Sequence, residues 1–168
     1  MSTSLREDAL LDEGAAAFLH RPGISITAAS PDERNVSRIG RCLGCRVSAD
    51  REKVTVFIPS AQYKRFFDAL AASRAIAVVF SYPSTHQTLQ LKGVDAAVGP
   101  LTAGDADIVA RHVDNFVEEL GSLGYPRDVV RTSQWSETAE LRAVTFTPSA
   151  AFEQTPGPGA GAPLRRPA

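Results

Sequence analysis

The sequence predicts a mainly β protein, a small barrel of six or more mostly antiparallel strands with helices packed outside it. Several segments alternate polar and apolar residues, which is the two-residue period of strands with one buried side. Single helical segments interrupt these strands, without the regular strand-helix alternation of a Rossmann fold. No Gly-x-Gly-x-x-Gly motif follows a predicted strand. These three observations favour the barrel.

The composition favours one compact domain with frayed ends. The 168 residues carry a formal net charge of -1, which lacks the strong basic excess of a nucleic-acid-binding protein. Arginines are nevertheless concentrated between Arg34 and Arg51. No basic segment followed by an apolar core opens the chain, and two cysteines cannot form a disulfide framework, so we expect a cytoplasmic location. The longest apolar run, residues 75–80, is far shorter than the roughly 20 residues that span a membrane.

The first part of the chain predicts one helix and three strands. The apolar spacing of the opening segment suits a short amphipathic helix, which ends at the break formed by Arg21, Pro22 and Gly23. The strands alternate apolar and polar side chains, and short polar turns between them favour antiparallel pairing. The elements are a helix in residues 2–20, a strand in 24–30, a strand in 36–49 broken or bulged at Gly40 and Gly44, and a strand in 51–60.

The second part predicts two longer helices and further strands. Ser60 is a plausible N-cap for the first helix, and the spacing of Thr102 to Asp105 fits a capping box for the second. The elements are a helix in residues 60–73, a strand in 75–80, one long or bent strand from 81 to 101, a helix from 102 to Gly121 or Gly124, and a strand in 141–152.

These elements divide the chain into three parts. Residues 1–17 form an N-terminal helical segment, and residues 18–152 form the barrel domain. Residues 153–168 form a tail that is too rich in proline and glycine to pack on its own.

Cysteines and histidines do not indicate a metal site. Cys42 and Cys45 have the spacing of a redox or zinc pair, but no second pair completes a tetrahedral site. We expect two reduced thiols, at least one of them in the core. His20, His86 and His112 are scattered through the sequence. His112 is expected on a solvated helix face, and His86 at the start of a strand.

Cations and hydroxyl groups lie on strands beside apolar segments. Guanidinium groups supply paired donors to phosphate oxygens, and hydroxyls complete the oxygen contacts, so such a group suits a phosphate dianion. A solvated arginine-rich hairpin explains the same residues equally well. No Ser-His-Asp elbow or carboxylate pair in an apolar run supports a hydrolase. The residues are Arg38, Arg41, Arg46, Ser60, Lys64, Arg65, Gln87 and Thr88.

The order of these segments resembles the pyridoxamine 5'-phosphate oxidase-like split-barrel family, which binds flavin mononucleotide (FMN) at a homodimer interface. "GISITAAS" resembles the first barrel strand, and "SRIGRCLGCRVS" with "KVTVFIPSAQYKRFFDAL" resembles the hairpin and helix that follow. "AIAVVFSYPSTHQTLQLKG" resembles the strand pair that ends in a glycine, and "FTPSAAFEQTPGPGAG" resembles the end of one flavin-linked subgroup. The resemblance covers the chain from about Phe18 to Phe152.

The resemblance implies specific flavin contacts. The contacts with its phosphate would come from Arg38, with Arg41 as a neighbouring candidate, and from Lys64 with Tyr63 or Arg65 beside it. Val56, Phe57 and Ile58 would lie along the isoalloxazine ring, with their backbone groups at its polar edge. Gln87 and Thr88 would contact the flavin, often that of the other subunit.

The resemblance also implies a function and an exclusion. It implies an FMN-dependent oxidoreductase that transfers electrons between a donor such as NAD(P)H and a small organic acceptor or oxygen, with no catalytic residue assigned. Oxidases of vitamin B6 have arginines before the glycine, where this chain has "QTLQLKG", which argues against that substrate. The alternatives are a non-catalytic flavin or haem carrier, with His20, His86 or His112 as axial ligand, and a ligand-free dimeric scaffold. Trp135 could cover a flavin or anchor its own loop.

Overall fold

The computed structural model describes residues 10–134 and 140–164. These ranges contain four helices and nine strands. In chain order the elements are α1 (Glu13–Leu19), β1 (Ser25–Pro31), β2 (Ser37–Cys42), β3 (Cys45–Val47), β4 (Val54–Pro59), α2 (Lys64–Ser73), β5 (Ile76–Ser81), β6 (Thr88–Gly93), β7 (Ala97–Gly99), α3 (Asp105–Ser122), α4 (Arg127–Ser133), β8 (Leu141–Phe146) and β9 (Ala150–Glu153).

The strands form two antiparallel sheets. One has five strands in the order β2-β1-β5-β6-β9, and the other has four in the order β3-β4-β8-β7. The antiparallel pairing agrees with the sequence prediction. The fold class differs from the mainly β class that the sequence predicts. Four helices accompany the two sheets among the described residues, so this is a mixed α and β protein. Trp135 and the residues that precede Leu10 lie outside the described residues.

The core lies between the two sheets. In β1 the side chains of Ile26, Ala28 and Ser30 are buried, whereas those between them are half-buried, as the alternation in the sequence predicts. β4 is buried along its whole length because the barrel covers one side and α3 the other. Each large apolar side chain buried in this way stabilises the fold by about 1.5–3 kcal/mol relative to its exposed state.

The chain passes from one sheet to the other at three places within segments that the sequence predicts as single strands. The first is at Leu43 and Gly44, between β2 and β3, which confirms the predicted break at Gly44, whereas Gly40 lies within β2 without interrupting it. It changes again in residues 94–96, between β6 and β7, and in residues 147–149, between β8 and β9. The single strands predicted for residues 81–101 and 141–152 are therefore wrong. A turn before Thr88 also separates β5 from β6, so His86 does not begin a strand.

The last two sheet changes meet at one corner. A Cβ atom on Gly93 would lie 2.7 Å from the Phe146 ring and 3.0 Å from the carbonyl oxygen of Thr147. The backbone N–H of Thr147 donates to the Asp95 carboxylate at 2.9 Å, and that of Ser149 donates to the Lys92 carbonyl at 2.8 Å. Burial would raise the pKa of Asp95, but its hydrogen bonds with Thr147 lower it overall. The glycine lets β6 and β8 approach closely enough for both strands to turn together.

The helix starts differ in part from the prediction. The first long helix begins at Lys64 without a side-chain cap, so the prediction that Ser60 caps it is wrong. Ser60 instead binds the residue before β8, because its N–H and hydroxyl both donate to the Glu140 carbonyl, at 2.9 and 2.8 Å. Asp105 accepts from the N–H of Thr102 at 2.8 Å, which is half of the predicted capping box. α4 has no counterpart in the sequence prediction.

The proline-rich tail packs against the five-stranded sheet as far as the structure describes it. The N–H of Gln154 donates to the Thr88 carbonyl, and the N–H of Leu164 donates to the Ala151 carbonyl, both at 2.8 Å. Between these two bonds, the N–H of Gly161 donates to the Glu153 carbonyl at 2.7 Å and closes a turn. Backbone hydrogen bonds to β6 and β9 thus order a segment whose composition predicts no packing of its own.

Within residues 10–134 and 140–164, no helix is both long enough and apolar enough to cross a membrane.

Replacement of Gly93 by alanine should destabilise the protein by about 1–3 kcal/mol, because the added methyl group overpacks the corner against Phe146. Chemical denaturation measures this change. Gly99→Ala is the matched control, since no heavy atom lies within 4 Å of a Cβ at Gly99, and its effect should stay within about 0.5 kcal/mol. Equal stability of the two variants would contradict this account of the corner.

Candidate functional site

The outward side of the five-stranded sheet carries two cations and no carboxylate. The side chains that strand alternation and register place there form a surface that we call the open sheet face. Ile39 at its edge is 64% exposed. The residues of this face are Ser25, Thr27, Ala29, Pro31, Ser37, Ile39, Arg41, Ala77, Val79, Ser81, Thr88, Gln90, Lys92, Ala150 and Phe152.

Arg41 is the cation of this face with the fewest partners. Its side chain is half-buried, and the guanidinium carbon lies 5.6 Å from the centre of the Phe116 ring on α3. Within the described ranges the guanidinium forms no hydrogen bond or ion pair. A half-buried cation without a counter-ion is costly, so this position favours an anion.

A narrow cleft beside Arg41 contains a second unpaired polar group. Gln134 is 3% exposed and lines this cleft together with Arg41 and Tyr63. Its Nε2 donates to the Ser133 hydroxyl at 3.2 Å, but its buried Oε1 has no hydrogen-bond partner in the part of the chain that the structure describes. Sequence reasoning missed Gln134 and Phe116, because nothing local in the sequence indicates that their helices meet β2.

Arg38 has a different environment, although only two residues separate it from Arg41. Its side chain lies on the inner side of β2 near α2, where its Nε and Nη2 donate to Asp32 at 2.9 and 2.7 Å. Hydrogen bonds from the Val36 backbone, and then from Arg38, lower the pKa of Asp32. The charge of Arg38 is therefore already balanced by a carboxylate.

The other residues implied for the phosphate and the ring are not gathered around Arg38. Lys64 is exposed on α2, and its ammonium group contacts both oxygens of Asp68 at 2.9 and 3.0 Å. Val56, Phe57 and Ile58 are each 0% exposed. The backbone of β4 is paired with β3 on one side and β8 on the other. Their contact with a flavin stays a prediction.

Gln87 and Thr88 lie at the far side of the same sheet. Thr88 lies on the β6 strand, and its hydroxyl is 2.8 Å from that of Ser81 and donates to the His86 carbonyl at 2.9 Å. Gln87 is exposed and, with Thr88, lines a cavity of about 260 Å³ beside α1. Strand spacing and register place Thr88 about 16 Å from Arg41, across β1 and β5. Within one protomer, the two groups of predicted flavin contacts therefore lie far apart.

Cys42 and Cys45 are both buried free thiols, as the core prediction requires. Burial raises the pKa of each, and the charge of Cys45 adds to the effect on Cys42. The Cys45 thiol donates to the Leu19 carbonyl at 3.2 Å. Among the described residues, no group of three or more histidine, cysteine or acidic side chains could hold a metal ion.

His112 is half-buried, contrary to the solvated position that the sequence predicts. Its imidazole stacks on Phe116, with ring centres 6.3 Å apart and planes at 5°. Its neighbours Arg111 and Asp114 remain exposed. Burial, with the nearby charge of Arg41, lowers the pKa of His112 from 6.5 to about 4. The imidazole is therefore neutral at physiological pH.

Comparison with known proteins identifies the fold. No protein-family model and no curated protein matches the chain. A putative pyridoxamine 5'-phosphate oxidase from Lactobacillus delbrueckii has a TM-score of 0.52 and 11% identity, over 90% of this chain and 99% of that one. HupZ of Group A Streptococcus has a TM-score of 0.52 and 12% identity, over 90% and 99%. An F420 reductase has a TM-score of 0.54 and 15% identity, over 84% and 98%.

These matches confirm the fold that the sequence resemblance implied. The chain has the split-barrel fold of the pyridoxamine 5'-phosphate oxidase-like, FMN-binding proteins. At these identities the matches concern the fold alone, and the residues of the site have to be judged from their own geometry.

The burial of His112 predicts a specific pH dependence of stability. The unfolded chain binds a proton below about pH 6.5, whereas the folded protein binds it only below about pH 4. Stability should therefore fall as the pH drops through this interval, by up to about 3 kcal/mol. Urea denaturation at several pH values measures it. His112→Gln should flatten this dependence, whereas His86→Asn, on an exposed turn, should keep it. An unchanged slope in His112→Gln would contradict the assignment.

Proposed function

We propose that the protein is a homodimeric FMN-binding flavoprotein that transfers electrons between a reduced donor and a small organic acceptor or oxygen. The observation that carries this proposal is the half-buried Arg41 on the open sheet face of an FMN-type split barrel, an arginine that has no counter-ion among residues 10–134 and 140–164. Arginine binds phosphate oxygens through paired N–H donors and keeps its charge at all physiological pH values.

The charge and position of Arg41 fit a flavin phosphate. Arg41 would hold the phosphate at the open sheet face, and Tyr63 lines the narrow cleft beside it. When bound, the flavin supplies the hydride and single-electron chemistry. The protein would bind the cofactor, orient it and exclude water, so no acid or base from the chain is required.

A second copy of the chain would complete the site. Gln87 and Thr88 lie about 16 Å from Arg41 within one protomer, which is too far for them to contact the same end of one flavin. Two open sheet faces packed together would bring Thr88 of one copy towards Arg41 of the other. The exposed side chains of Val36 and Ile39, at 46% and 64%, supply apolar surface at this edge. Small side chains such as Ala29 and Ala77 would let the sheets approach closely.

A carrier without turnover is the second candidate function. His20 and His112 line one cavity of about 310 Å³, and a neutral imidazole such as that of His112 is the form that binds haem iron. His86 lies on an exposed turn away from that cavity. A flavin carrier would use the same contacts around Arg41 as the enzyme.

The visible spectrum of the purified protein tests the proposal directly. We expect flavin absorption, or its appearance after FMN is added, and release of FMN identified by mass spectrometry. Anaerobic mixing with NADH or NADPH should then bleach the flavin. A colourless protein that takes up no FMN would overturn the proposal. Failure of both nucleotides to bleach bound FMN would favour the carrier, and a Soret band lost in His112→Ala would favour haem.

Arg41→Gln should weaken FMN binding by about 1.5–3 kcal/mol, roughly ten- to a hundredfold in Kd, because it removes a charged donor to the phosphate. Fluorescence titration with FMN measures the change. Arg38→Gln removes the same charge three positions away, but the partner of Arg38 is Asp32, so we expect a smaller loss. A larger loss in Arg38→Gln than in Arg41→Gln would place the phosphate on the inner side of β2 instead.

Ile39→Glu should convert the dimer to monomers and abolish tight FMN binding, because a carboxylate on the open sheet face would be buried at the interface. Sedimentation velocity measures the oligomeric state. Val129→Glu is the control, since Val129 on α4 is similarly exposed, at 61%, but lies outside that face. A dimer that survives Ile39→Glu with FMN bound would exclude this face as the interface.

A further inference from the structure

A second polar cavity lies away from the predicted flavin contacts. It occupies about 310 Å³ between the segment that joins α1 to β1 and the first half of α3. We call it the basic cleft, because three arginines and two histidines line it and none of its described lining residues is acidic. None of the residues that the sequence implies for the flavin lines it. The charged and titratable residues are His20, Arg21, Arg46, Arg111 and His112.

Contacts with neighbouring side chains fix the orientation of two of the arginines. The Nε of Arg46 donates to the buried carboxylate of Asp105 at 3.0 Å, and its Nη2 donates to the second oxygen at 3.3 Å. Arg21 lies with its guanidinium carbon 3.5 Å from the centre of the Tyr82 ring. The Tyr82 hydroxyl in turn donates to Glu119 at 2.9 Å. Both guanidinium groups are therefore oriented before any ligand arrives, which reduces the entropy cost of binding.

Most donors of the three arginines that line the basic cleft form no hydrogen bond. Within the described part of the chain, the Nη1 of Arg46 and all the N–H groups of Arg21 and Arg111 form no hydrogen bond. Other arginines of the molecule, such as Arg127 and Arg131, contact a carboxylate at 3.0 and 2.9 Å. Asp105 balances the charge of Arg46, and Glu119 lies near Arg21. Arg111 has no carboxylate partner among the described residues, and an anion in the cleft would supply one.

We infer that the basic cleft binds a small organic anion whose phosphate or carboxylate group is held by Arg21, Arg46 and Arg111. Apolar side chains of Leu19 and Ile108 also line the cavity and would contact the carbon part of the ligand. The volume lies at the lower end of the range for small-molecule sites, about 300–1,000 Å³, so the ligand is smaller than a nucleotide. The site is separate from the flavin contacts and does not depend on the proposed function.

The neighbouring aromatic stack connects the basic cleft to the open sheet face. His112 lines the cleft and stacks on Phe116, and Arg41 contacts the same ring from β2. An anion in the cleft would therefore lie near an aromatic ring that the arginine proposed for the flavin phosphate also contacts. A role of this anion as substrate or effector of the flavin site rests on the proposed function, whereas its binding does not.

Isothermal titration with phenyl phosphate, benzoate and inorganic phosphate tests the inference, on the full chain with FMN in excess so that any flavin-phosphate site is filled. Phenyl phosphate or benzoate should bind more tightly than inorganic phosphate, because the ring adds apolar contact. Tighter binding of phenyl phosphate would identify the ligand as an organic phosphate, and tighter binding of benzoate would identify it as a carboxylate. Arg111→Gln and Arg21→Gln should each weaken binding about tenfold, as expected for the loss of a charged donor.

The control variant is Lys53→Gln, which removes one positive charge from an exposed position outside the cavity and should leave the affinity unchanged. FMN affinity should also be unchanged in Arg111→Gln, so failure of this inference is distinguishable from failure of the flavin proposal. Lack of binding by all three anions would overturn it, as would equal losses in Arg111→Gln and Lys53→Gln. Haem binding whose Soret band shifts in His112→Gln would assign the cavity to haem instead.

Discussion

The close approach of Gly93 to Phe146 is the constraint on which the barrel depends. At this corner β6 and β8 leave their sheets together, so that β7 continues beside β8 and β9 continues beside β6. The carboxylate of Asp95 satisfies the Thr147 N–H, which the turn would otherwise leave unpaired. Because a side chain on Gly93 would meet the Phe146 ring at 2.7 Å, the corner requires glycine. Both sheets then enclose one core and leave the open sheet face on the outside.

The side of β2 on which a residue lies decides its chemistry. Arg38 and Arg41 are an odd number of positions apart, so a regular strand directs them to opposite sides. Arg38 meets Asp32 of the preceding turn, and its charge is balanced. Arg41 meets only the Phe116 ring among the contacts described. Two arginines that look equivalent in the sequence thus have different capacities to bind an anion. On the helices, Arg127 likewise pairs with a carboxylate, whereas Arg111 has no carboxylate partner among the described residues.

Much of the fold could be predicted from local sequence patterns, and its interruptions could not. The alternation of β1, the antiparallel pairing of β3 with β4, and the apolar faces of α2 and α3 all follow from periodicity. The sheet changes leave almost no periodic signal, because apolar side chains continue to face one core on both sides of the turn. Ser60 has the chemistry of an N-cap, but its hydroxyl instead donates a hydrogen bond to the Glu140 carbonyl, 80 residues away. Of the candidate site, the sequence indicated Arg41 and Tyr63, whereas Gln134 and Phe116 required the packing of helices on β2.

The sequence by itself determined the antiparallel strands, their buried sides and the inventory of cations, because these depend on neighbours a few residues away. The tertiary structure decided which cations remain available to a ligand. Ion pairing joins residues that are distant in the chain, as the 59 positions between Arg46 and Asp105 illustrate, and no local pattern reports it. The open sheet face and the basic cleft exist only where separate elements meet, since each takes its charge from side chains that folding alone brings together.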